Sequence, residues 1–181
     1  MLSAERREKV RTMNKILILT DPTSHEEFYI EVPCSNQDIV DEVGNDFRTE
    51  FELIDGDTGK LLSKSVGLSE LFRINDLATQ IEHLTNEQVA VVGALAEKYG
   101  GNSLNAYQHA LYDFRNYELI DGTDELDVGL YILETVLGIE LHKSPLAHAV
   151  NPFLLGKEAF TVGIATKTGN KKTLLDTSKI Y

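Results

Sequence analysis

Tryptophan is absent from this 181-residue chain, and cysteine occurs once, at Cys34. A lone thiol excludes an internal disulfide and suits a reducing, cytoplasmic location. Long apolar runs are missing too. The longest, Ile16-Leu17-Ile18-Leu19, is far short of a membrane span. The opening Met-Leu-Ser-Ala-Glu-Arg-Arg-Glu-Lys is charged and has no apolar centre of the kind a secretory signal requires. Met13 offers a second start, which would make residues 1–12 a loose, basic extension. Positive charge is scarce through the middle of the chain. Residues 21–140 hold six Lys or Arg against twenty-five Asp or Glu, a net of −19, inside a total of −12. Direct binding of nucleic acid through that stretch is disfavoured by repulsion between carboxylates and phosphates. A basic protein surface would be attracted.

Catalytic and metal-binding patterns are equally thin. His25, His83, His109, His142 and His148 form no His-x-x-x-His pair, so no metal site is expected. Cys34 follows Pro33 without a local base and reads as a small packed side chain. Acidic pairs such as Glu26-Glu27, Asp41-Glu42 and Asp124-Glu125 are expected by chance in so acidic a chain and do not single out an acid–base site. Lys167-Thr168-Gly169 lacks the Ser-x-x-Lys that would make it part of a penicillin-binding signature, and reads as a hairpin turn. No phosphate-binding loop occurs. The seven Tyr and seven Phe fall mostly on apolar faces, which argues against a base-stacking platform. The expectation is a non-enzymatic protein that uses no cofactor.

With 42% apolar residues the chain is nonetheless a folded one. Lys15–Thr20 reads as a strand. Glu26–Val32 alternates Phe28, Ile30 and Val32 against Tyr29 and Glu31, a half-buried strand that Pro33 ends. Ser35, with Asp38 three residues on, predicts a capped helix to Val43, stopped by Gly44. Phe51 and Leu53 alternate with Glu50 and Glu52 in a strand that turns at Asp55-Gly56-Asp57. Leu68, Leu71, Ile74, Leu77, Ile81 and Leu84 recur at helical spacing. Thr85 with Gln88 caps a second helix with Val89, Val92, Ala96 and Tyr99 on its apolar face, stopped by Gly100-Gly101. Ser103 caps a third, with Leu104, Tyr107, Leu111 and Phe114. Tyr117–Ile120 is again a strand. Thr123 caps a helix carrying Leu126, Leu130, Leu133 and Leu137. Further on, a weak helix is expected over 145–155, a strand over 160–166, and a hairpin return over 171–175. The class is α+β, a chain of small units: a basic extension (1–13), a β-rich unit (14–64), a helical middle (65–115) and a mixed α/β unit (116–181). Phe51-Glu52-Leu53-Ile54-Asp55-Gly56 is echoed by Tyr117-Glu118-Leu119-Ile120-Asp121-Gly122, with no longer period behind it.

The order of these features resembles a family. A strand leads into Tyr29-Ile30-Glu31-Val32-Pro33 and a short acidic helix, then an acidic strand over 50–55. Leu71-Phe72-Arg73-Ile74-Asn75-Asp76-Leu77 and Glu82-His83-Leu84 come next, and later Asp127-Val128-Gly129-Leu130-Tyr131-Ile132-Leu133-Glu134. Over residues 14–140 this is similar to the ArdA-type antirestriction proteins of plasmids and conjugative elements. The resemblance implies an elongated, homodimeric DNA mimic that occupies the DNA-binding groove of type I restriction–modification enzymes, without catalysis, cofactor, membrane or direct nucleic-acid contact. The basic ends, 1–13 and 141–181, depart from that pattern. Duplex DNA carries one charge per ~1.7 Å, so the middle regions of two paired chains match roughly 65 Å of duplex, or about 19 base pairs. The expected carriers are Asp38, Asp41, Glu42, Asp46, Glu50, Glu52, Asp55 and Asp57, then Glu118, Asp121, Asp124, Glu125, Asp127 and Glu134. The alternative is an acidic adaptor or structural protein of a mobile element that binds some other basic partner.

Overall fold

A computed structural model describes residues 15–101, 103–139, 150–169 and 171–180. The α+β class holds, and the chain divides into two compact units at His83/Leu84.

The first unit is one antiparallel sheet with helices on one face. Its strands are β1 (Lys15–Thr20), β2 (Glu27–Val32), β3 (Glu50–Asp55) and β4 (Leu61–Gly67), in the order β2-β1-β3-β4. Helices α1 (Asn36–Val43) and α2 (Leu68–Glu82) cover the inner face. Leu17, Leu19, Ile30, Val32, Phe51, Leu53 and Val66 point inward and close over Ile39 of α1 and Leu68 and Leu71 of α2. The alternation in β1, β2 and β3 is what sets this single face inward. Ser35 caps α1 reciprocally: Asp38 N–H donates to Ser35 Oγ at 3.1 Å, and Ser35 N–H donates to Asp38 Oδ2 at 3.0 Å. Gly44, at φ 83°, ends the helix as predicted. Asn75 of α2 is buried and grips the loop before α1. Its Oδ1 accepts from Cys34 N–H and its Nδ2 donates to Cys34 O, each at 2.8 Å.

The second unit builds a sheet in the order β5-β7-β6 from β5 (Tyr117–Asp121), β6 (Ala165–Lys167) and β7 (Lys172–Asp176). This sheet is covered on both sides. On one face α3 (Asn86–Lys98) and α4 (Leu104–Asp113) pack Val91, Val92, Leu95, Ala106 and Ala110 against Leu119 and Leu174. On the other, α5 (Glu125–Tyr131), its π-helical continuation Ile132–Val136, and α6 (Pro152–Thr161) pack Val128, Ile132 and Ala159 against Ile120 and Leu175. Helices α5 and α6 touch backbone to backbone. A Cβ added at Gly156 would sit 1.7 Å from Glu125 O, and one at Gly129 would sit 1.7 Å from Pro152 O.

Several expectations are corrected. The helical middle 65–115 is split: α2 belongs to the first sheet, α3 and α4 to the second. Strand β4 was not predicted. On α3 the inner face is Val91, Val92, Leu95 and Ala96, so Tyr99 lies at the surface; on α4 Ala106 and Ala110 are buried, and the expected Tyr107, Leu111 and Phe114 pack into the same core. Asp124, not Thr123, caps α5, accepting from Asp127 N–H at 2.8 Å. Leu126 and Leu137 are exposed while Val128, Gly129, Ile132 and Leu133 are buried, because the close approach of α6 selects the glycine face. Pro152 opens α6 instead of interrupting a helix, with Asn151 as its cap. That helix takes Phe160 and Thr161 from the expected strand 160–166, of which only Ala165 and Thr166 pair, in a strand that runs on to Lys167. Residues 145–149 of the expected weak helix, and the extension 1–13, lie outside the described residues.

Candidate partner-binding surface

Helix α1 carries Asp38, Asp41 and Glu42 on its exposed side. The capping box fixes Asp38, and Gln37 Nε2 donates to Asp41 Oδ1 at 2.7 Å. Between α1 and the edge strand β2 runs a groove of about 340 Å³ lined by Tyr29, Glu31, Pro33, Cys34, Asp38 and Glu42. Burial, and next the charge of Asp38, push the Cys34 thiol up, away from the reactive thiolate. Asp46, in the loop after α1, accepts from Arg48 N–H at 2.9 Å and stays exposed. Asp57 is exposed in the β3–β4 turn.

Glu50 and Glu52 lie elsewhere, on the outer face of the sheet. Register fixes that face. Thr20 stands opposite both Glu27 and Glu52, Ile18 opposite both Tyr29 and Ile54, Ile16 opposite Glu31, and Ile54 opposite Leu61. The Ser65 hydroxyl donates to Glu50, and Tyr29 Oη donates to Glu27 Oε2 at 2.7 Å. Both donors are neutral, so neither contact brings a cation to the carboxylate. Among the described residues of the first unit no helix covers this face: Tyr29 is 57% exposed, Ile16 44% and Leu61 43%. The carboxylates of the first unit therefore divide between α1 with its following loop and the outer sheet face.

Asp55 drops out of the expected surface. It is 7% exposed, ion-paired to Lys15 Nζ at 2.7 Å, and accepts from Asp57 N–H and Thr58 N–H. The Lys15 contact, helped by those turn N–H groups and opposed by burial, holds its carboxyl below the usual range. Sequence reasoning did not include Glu27 and Glu31, although the β2 alternation places both outward.

In the second unit Asp121, Asp124, Glu125 and Asp127 gather around the β5–α5 turn. Gly122, at φ 102°, packs its Cα against the Asp127 side chain, where a Cβ would meet Oδ2 at 2.4 Å. Asp121 is exposed and faces Lys172 Nζ at 3.2 Å, so part of its charge is answered. Glu118 accepts from Tyr131 Oη; burial first, and then Glu118, push that phenol up to about 12. Glu134 is exposed on the continuation of α5. A separate polar cluster joins Tyr99 Oη to Asp113 Oδ2 at 2.7 Å and Lys179 to the buried Asp176 at 3.0 Å. Burial alone would raise Asp176, but hydrogen bonds from Ser178, Lys179 and Tyr117 hold it below its ordinary value.

Among the described residues no group of three or more His, Cys, Asp or Glu is placed to hold a metal ion, and no helix is long and apolar enough to cross a membrane. No family model matches the chain, and the search of curated proteins found no match.

Proposed function

We propose that the chain is an antirestriction protein that imitates the charge of duplex DNA and occupies the DNA-binding groove of type I restriction–modification enzymes. In this reading it performs no reaction, needs no cofactor, and acts in the cytoplasm as a homodimer. The observation that carries it is a set of exposed carboxylates on firm supports: Asp38, Asp41 and Glu42 on α1, Asp46, Glu50 and Asp57. None of the six has a cationic partner among the described residues. Their density is of the right order. Helix α1 presents three carboxylates over five residues, about 6 Å of axis, or one per 2–3 Å. Duplex DNA presents one charge per ~1.7 Å. Strand β3 is sparser, with Glu50 and Glu52 about 6.6 Å apart. The helix is therefore the stronger imitation. The resemblance in feature order supplies the class of target.

The test is competition. The protein should displace a fluorescent target duplex from a purified type I methyltransferase. Its affinity should fall at least tenfold between about 50 and 200 mM salt, as for DNA itself. Failure to displace the duplex, or an affinity indifferent to salt, overturns the reading. Tight binding to a different basic protein, with none to the methyltransferase, would favour the acidic adaptor.

A further inference from the structure

The outer face of the first sheet is not the polar surface that a one-sided antiparallel sheet ordinarily turns to water. One row crosses all four strands with no charged side chain: Tyr29, Ile18, Ile54, Leu61. Ile16 lies beside it, and the turn after β3 closes onto Ile16, Gly56 N–H donating to its carbonyl at 2.8 Å. Glutamates edge this row: Glu27 and Glu52 on one side, with Glu50 beyond, and Glu31 next to Ile16. The nearby cations, Lys60 and Lys64, are exposed around β4 at the opposite edge from β2.

We infer that this face is a docking surface for a protein segment that presents an apolar row flanked by lysine or arginine side chains. Charge selects the occupant. A second copy of this chain, face to face, would stack its own glutamates on these. Nucleic acid and anionic lipid headgroups would be repelled in the same way. An apolar protein segment without cations would bury the row while leaving Glu27, Glu50 and Glu52 desolvated with no cation opposite them. A basic, apolar-centred segment satisfies both parts. The inference deepens the proposed function by adding an apolar contact to a charged one, and rests on that reading only for the identity of the natural target. Apolar burial is not screened by salt, whereas exposed charge pairs are. The sheet face would thus supply the part of the affinity that survives high ionic strength.

The probe is a synthetic amphipathic helix of about 18 residues, leucine along one stripe and lysine on both flanks, compared with a scrambled peptide of the same composition. Fluorescence anisotropy with the full chain should show the amphipathic peptide binding at least tenfold more tightly than the scrambled one. The double substitution Tyr29→Thr/Leu61→Thr should abolish that preference. Val162→Thr, which removes an exposed apolar side chain from the second unit, should preserve it. Should the double variant fail to fold by circular dichroism, Ile16→Thr and the scrambled peptide still decide. Equal binding of both peptides, or a preference that survives Tyr29→Thr/Leu61→Thr, overturns the inference. So does self-association of the wild type that those substitutions abolish while the peptides do not bind. Methyltransferase binding indifferent to the sheet variants sinks the docking face alone. Peptide binding at the sheet without methyltransferase binding sinks the antirestriction reading alone.

Discussion

Replacing Gly156 by alanine should nearly unfold the second unit, while the same change at Gly93 should strengthen it. At Gly156 the new Cβ would lie 1.7 Å from Glu125 O. A carbon–oxygen contact needs about 3.3 Å, so α5 and α6 must part by roughly 1.5 Å. Backbone cannot swing aside as a flexible side-chain tip could. A gap of even 0.5–1 Å forfeits a quarter to a half of each dispersion contact it opens. The contacts at stake include Val128, Ile132 and Ala159 around the core that both helices share. A cost of about 4 kcal/mol is expected, above the usual overpacking range because the obstacle is main chain. A domain of about 100 residues has ~5–15 kcal/mol in all and loses 4–8 °C of Tm per kcal/mol. The melting temperature of this unit should fall by roughly 15–30 °C. Gly93 lies within α3 with nothing within 4 Å of a Cβ there, so Gly93→Ala should gain about 0.5–1 kcal/mol from helix propensity. Thermal denaturation by circular dichroism measures both variants, and amide exchange locates the loss. If Gly156→Ala melts within about 3 °C of the wild type, the helix crossing is not as close as described.

The Asp55 carboxyl titrates below its unfolded value, so its contribution to stability is present above about pH 4 and fades as pH falls through the lower folded value. Urea midpoints of wild type and Asp55→Asn should therefore differ by the equivalent of about 1–2 kcal/mol at neutral pH and converge in acid. A gap that widens on acidification would contradict the Lys15 pairing. Tyr131 should titrate near 12 by carbon NMR. In Glu118→Gln it should fall only part of the way towards 10, because burial is the larger cause; a full return would assign the whole effect to Glu118.

Much of the first unit was legible because its strands keep a strict two-residue period and its helix starts with a reciprocal cap. Strand β4 was not, because Leu61-Leu62-Ser63-Lys64-Ser65-Val66 has no clean alternation. Its pairing with β3 shifts register twice, between Phe51 and Leu53 and between Leu53 and Ile54. On α5 leucines suggested the wrong face; tertiary contact chose Gly129, which no hydrophobicity pattern marks. Around 160–166 the β-forming residues Phe160 and Thr161 yielded to a helix already launched by Asn151 and Pro152. The hexapeptide echo shows the limit for the candidate surface. Both copies are strands, yet Asp55 ends the interior strand β3 and is buried, whereas Asp121 ends the edge strand β5 and is exposed. Identical local sequence gives opposite fates because strand neighbours are set far along the chain.

Asn75 reaches across 41 positions to clamp both backbone polar groups of Cys34, one residue ahead of the Ser35 cap of α1. The clamp is an uncharged amide, so neither acid nor added electrolyte loosens it. Added salt therefore leaves this anchor of the acidic helix in place. A loss of binding with rising ionic strength consequently does not arise from a slackening of this clamp.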